Sequence, residues 1–248
     1  MRRSKVPLFT AIGFSIAPLV DALFMIILKD PEAARSMGLI SAKAQLVAGV
    51  ADWPTFFNVL GQAVAVGGAM LFAIITAWVF GREFSDRTVK ELMALPTPRG
   101  SIVAAKFVAI AGWTMLLSIF IFLVALVVGS LLDIPGWSQE LFLSASLDVF
   151  GAAVLTISLL PFVALFAGIG RGELPPIGWT VLTVVLAQIA AITGWGDWFP
   201  WSVPALFSGA AGPRADLLGA HSYIVVAVTS ILGFTATFYW WRNADQTK

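Results

Sequence analysis

Apolar residues gather in six long runs, over residues 7–28, 55–80, 101–132, 143–169, 177–192 and 223–241, and polar residues collect between them. A helix rises about 1.5 Å per residue, so about 20 apolar residues cross a hydrocarbon layer about 30 Å thick. All but the run at 177–192 reach that length or fall within a residue of it. The pattern predicts an all-α integral membrane protein, one domain over residues 1–248, with six transmembrane helices. Pro18 and Pro161 fall inside the first and fourth runs and predict kinks there. The basic start and apolar run of MRRSKVPLF look like a signal peptide. At about 22 residues the run exceeds an h-region of about 7–15, so it reads as an uncleaved first span.

Composition agrees. The chain is 59% apolar and 12% charged, with a mean hydropathy of +0.91, whereas soluble domains carry about 25% charged residues. A net charge of +1 gives no electrostatic case for nucleic acid. Cysteine is absent and His221 is the single histidine, which excludes disulfides, thiolate catalysis and any multi-histidine metal site.

Basic residues set an orientation. With both termini cytoplasmic, 11 lysines and arginines fall inside and 4 (Lys29, Arg35, Lys43 and Arg214) fall outside, as the positive-inside rule requires. Outside, residues 33–50 have helical composition, and Trp53-Pro54 opens the second span. Between the fifth and sixth spans, TGWGDWFPWSVPALFSGAAGPR is rich in Trp, Gly and Pro. It predicts an outer re-entrant segment that dips into the bilayer without crossing it.

The most informative stretch is GREFSDRTVKELMALPTPRGSIVAAK, residues 81–106, which carries eight of the 29 charged residues. Phe84, Thr88, Leu92 and Leu95 recur at helical spacing and predict one apolar stripe on a cytoplasmic helix. Such a stripe must be covered by the membrane or by a partner. Pro96 ends this helix. Thr97 reads as an N-cap and Pro98 as the first residue of the next helix, with Arg99 after it. Candidate docking residues are Glu83, Phe84, Asp86, Arg87, Thr88, Glu91, Leu92 and Leu95, with Pro96, Pro98 and Arg99 as a hinge into span 3.

The string Gly-Arg-Glu83-Phe-x-x-Arg87-Thr88-x-x-x-Leu92, then Leu95-Pro96-x-x-Arg99 and Lys106, resembles permeases of the ABC-2 type exporter family. There a motif near E-x-x-x-G-T, an L-x-x-P-x-x-R-like stretch and a lysine form a coupling helix between spans 2 and 3. Here Arg87 stands where that pattern has glycine, and only six residues precede Pro7, so an elbow helix before span 1 is short or missing. The resemblance implies a type V exporter-like permease fold, with two ATPase subunits and a second or related permease. No G-x-x-x-x-G-K-[ST] occurs in the chain, so ATP and Mg belong on the partner ATPase and no cofactor or metal is expected here. The implied activity is export of an antibiotic, peptide or lipid across the plasma membrane of a bacterial or archaeal cell.

Two other function classes compete. A secondary transporter or channel calls for charges at the bilayer midplane, and Asp21 is an off-centre candidate. An intramembrane carboxylate is costly and marks function by default; the structural alternative pairs Asp21 with Lys29, Asn58 or Gln62. Asn58, Gln62 and Gln188 read either as helix–helix hydrogen bonding or as a polar patch on an export path. Asp148 lies near the outer end of span 4, within reach of water. An intramembrane enzyme lacks a nucleophile–base pair, carboxylate pair or metal cluster to work with. Gly61, Ala65, Ala69, Ala73, Ala77 and Gly81 form a low ridge on span 2, suited to packing within the chain or between two copies.

Overall fold

The computed structural model describes residues 5–30, 49–89, 91, 96–210 and 218–243. These form helices and turns, with no strand among the described residues. Six crossings are long and apolar enough to span a membrane. They are α1 (Val6–Lys29), α2 (Trp53–Ser85), α3 (Arg99–Leu131), the pair α4 (Gln139–Ser158) and α5 (Leu160–Ile169), α6 (Leu174–Thr193), and α8 (Ala220–Asn243). The short helix α7 (Val203–Phe207) lies between α6 and α8. The external helix expected over residues 33–50 falls outside the described residues except for Gly49 and Val50, which are non-helical.

The helix ends follow local chemistry. Asp52 caps α2 by accepting from the Thr55 amide at 2.9 Å, and Trp53-Pro54 occupy its first turn. Pro18 is accommodated inside an unbroken α1. The fourth crossing breaks at Leu159, two residues before Pro161, whose missing amide cannot continue the ladder. The fifth crossing is longer than the hydropathy run implied. It starts at Leu174 and reaches 20 residues, because Pro175 and Pro176 fit in a first turn where amides have no helical partner. Helix α3 begins at Arg99 with Pro98 as its cap residue, one position later than Thr97-Pro98 predicts.

Packing follows the small residues. The ridge on α2 is used within the chain. A Cβ at Gly81 would lie 2.6 Å from the Gly172 carbonyl oxygen, and one at Gly61 would meet Ser208 at 4.0 Å. Between these ends, Ala65 and Ala69 share a crevice with Thr156, Thr180 and Trp201. Midway along, Ala63–Gly67 forms a π-helical turn that hydropathy did not announce. On α8, Gly233 seats Phe162, and Thr237 donates to the Pro161 carbonyl at 3.0 Å. Outward faces carry Phe9, Ile16, Leu123, Leu147, Ile189 and Ile231, an apolar exterior that suits lipid and not water.

Candidate functional site

Of the residues singled out between spans 2 and 3, Glu83, Thr88, Glu91 and Lys106 meet at one end of the bundle. Helix α2 ends at Ser85 in a tight turn. The Thr88 amide donates to the Glu83 carbonyl at 2.9 Å and the Arg87 amide to the Phe84 carbonyl at 3.2 Å, with Arg87 at φ 60°. This is a Schellman cap, whose left-handed position favours glycine. The backbone is helical again at Val89, which is buried. The single amphipathic helix expected from Gly81 onward is therefore interrupted. Phe84 belongs to α2 and packs on Trp240 and Trp241 of α8, with centroids 6.0 and 5.7 Å away, so it is engaged within the chain. Leu92 and Leu95 lie outside the described residues.

Lys106 organises this end. It reaches from α3 to α2, where its ammonium donates to the Val79 carbonyl and to Glu83 Oε2, the latter at 2.5 Å. Phe80 and Trp241 rings lie 5.2 and 5.4 Å from its nitrogen and add cation–π attraction. The lysine is nearly buried, and a buried ammonium needs such compensation. Around the pair, Trp78, Arg82, Thr88, Glu91 and Ile102 line a groove of about 770 Å³. Arg82 pairs with Asp86 at 3.1 Å and lies over Trp78 at 5.1 Å; the ion pair is exposed and contributes little. Pro96, Pro98 and Arg99 are exposed, and Arg99 donates to the carbonyl of Arg242 at 3.3 Å, capping the C-terminal end of α8. Sequence reading had Lys106 in the motif but missed its burial and its link to α8.

The polar residues proposed for a path divide. Asp21 lies on the buried stripe of α1, 3% exposed, and its Oδ2 has no hydrogen-bond partner. None of the three partners considered for it is used. Lys29 instead donates to the carbonyls of Leu132 and Asp133 at the end of α3. Asn58 and Gln62, one turn apart on α2, bond to each other at 2.6 Å. Gln188 sits on an exposed face of α6.

At the other end, Gly194 closes α6 in the left-handed conformation, and a 3₁₀ turn at Pro200–Ser202 leads into α7. Pro200, Ser202, Val203 and Leu206 are buried, so the backbone of this turn is covered by protein. His221 joins it to α8 by bonding Asp197 at 2.9 Å and stacking on Trp198 at 4.6 Å. Beside α7, Asn58, Asp148, Ser144 and Ser208 share a second cavity of about 350 Å³. Hydropathy gave no sign that these four would meet, since they come from α2, α4 and the segment after α7.

A family model described as ABC-2 family transporter protein matches residues 1–187. The chain is 27% identical over 195 residues to the bacitracin transport permease protein BCRB of Bacillus licheniformis, an alignment covering 77% of this chain and 91% of that protein. No solved structure matches. The chain belongs to the ABC-2 family of transporter proteins and is a multi-pass plasma-membrane subunit of an ABC transporter.

Proposed function

We propose that the chain is the permease of an ATP-driven exporter and that the end carrying Glu83, Arg87, Thr88 and Glu91 docks on a separate ATPase subunit. The observation that carries this reading is the Lys106–Glu83 pair, which ties the capped end of α2 to α3 and, through Trp241, to α8. A force applied at the turn after Ser85 would reach three spans at once. Transmission requires that the ATPase contact this turn differently in its open and closed states. ATP and Mg bind the ATPase in this reading. Two ATPase subunits act on two permeases, the second a copy of this chain or a relative. Both termini and the turn are cytoplasmic, and the segment from Gly194 to Ala210 is the outer re-entrant element. The similarity to a bacitracin transport permease favours a peptide antibiotic as cargo.

The test is co-purification with the ATPase and ATP-dependent transport in reconstituted vesicles. Wild type retains the ATPase, whereas Leu92→Asp and Glu91→Arg lose it while still eluting as folded permease. Intact ATPase binding and transport in both variants would remove the docking role. Transport driven by an ion gradient with ATP withheld would favour a secondary transporter, for which the buried Asp21 is the available proton or cation group.

A further inference from the structure

The 350 Å³ cavity at the α7 end is lined from α2, α4 and the tip of α7, away from the Glu83–Lys106 end. Asp148 opens into it from α4, about 14 Å along the axis from Gln139. Its carboxylate takes part in none of the ion pairs of the described residues, and no lysine or arginine among them lines the cavity. The side chain is exposed beside the cavity, so its carboxylate is open to a ligand rather than held by a cation among the described residues.

The other polar groups are already committed in one direction. The Ser144 hydroxyl donates to the Leu141 carbonyl at 3.0 Å, and the Ser208 hydroxyl to the Ala205 carbonyl at 3.1 Å. The Gln62 amide occupies Asn58 Oδ1. What remains toward the cavity among the described residues is the carboxylate, the lone pairs of two hydroxyls and the two N–H donors of the Asn58 amide. Among the described residues of the lining, acceptors outnumber donors and the formal charge is −1. The side chain or ligand group that complements such a lining carries several donors, no acceptor and a positive charge, which describes an ammonium group. Phe57 and Phe207 supply the apolar walls, and a cation beside their faces gains further attraction. Phe207 is held there because residue 151 is glycine; a Cβ would lie 2.8 Å from its ring.

We propose that this cavity binds the primary ammonium group of an amphipathic amine, with Asp148 as its counter-charge, Ser144 and Ser208 as acceptors, and the two phenylalanines against its apolar body. The site needs no ATPase, so it stands or falls separately from the docking reading above.

Equilibrium dialysis of the full chain in phosphatidylcholine nanodiscs, with 2-phenylethylamine at pH 7 as probe and uncharged 2-phenylethanol as control, tests it. Saturable binding of one amine per chain is expected, weaker for the alcohol by at least about tenfold. Asp148→Asn should weaken amine binding by a similar factor, and Glu140→Gln, on the same helix outside the cavity, should leave it unchanged. Equal binding of amine and alcohol by wild type, amine binding by Asp148→Asn as tight as by wild type, or no saturable binding at all would overturn the proposal. The first comparison uses no variant, so it decides even where Asp148→Asn fails to fold.

Discussion

Lys106 and Glu83, 23 positions apart in the chain, form a largely buried ion pair that joins α3 to α2 at 2.5 Å. Removing one partner leaves the other charge in a poorly solvated place, and that penalty, more than the lost attraction, sets the cost. Lys106→Met should destabilise the chain by about 3–5 kcal/mol, read as an earlier thermal transition in detergent. The double variant Lys106→Met, Glu83→Gln should recover most of the loss. Equal loss in the single and double variants would show that packing of the lysine stem, and not charge, holds this end.

Arg87 adopts φ 60°, where a Cβ crowds the following carbonyl. Arg87→Gly should therefore stabilise the turn by about 1 kcal/mol, and Arg87→Val should destabilise it, since a β-branched residue is a poor occupant there. Thermal unfolding of the two variants checks the sign. The family-like pattern has glycine at this position, and the Schellman geometry explains why.

Gly81 touches backbone and not a movable side chain. Its missing Cβ would lie 2.6 Å from the Gly172 carbonyl oxygen and 2.9 Å from the Glu173 amide nitrogen. Gly81→Ala should cost about 1–3 kcal/mol through forced separation of α2 from the α5–α6 turn. Gly67→Ala, in open space on the same helix, is the control and should be close to neutral or stabilising. Fluorescence-detected unfolding of both separates the two effects.

Asp21 has an orphan carboxylate oxygen in a buried stripe. Asp21→Asn removes an intramembrane charge whose insertion costs about 2.5–3.5 kcal/mol, so stability should rise by up to about 2 kcal/mol. Transport measured alongside tells what the carboxylate is for. A more stable protein that no longer transports assigns it to the transport cycle, whereas a more stable and fully active one assigns it no role there.

The all-α class, the positions of six membrane-capable helices and the family were legible along the chain. Hydropathy is a local sum, and a span needs only enough consecutive apolar residues to cross the hydrocarbon. The string of Glu83, Thr88, Pro96 and Lys106 that carries the family resemblance was legible too, because it is read by spacing. Only the tertiary structure decided what each of these residues faces. It turned Phe84 inward onto Trp240 and Trp241, ended α2 in a left-handed cap at Arg87, and left Asp21 without the partners its position offered. It also brought Asn58 and Ser208 beside Asp148. Facing depends on how helices rotate and cross, and those follow from side-chain shapes on neighbouring helices distant in sequence, such as Gly81 against Gly172 and Gly233 against Phe162.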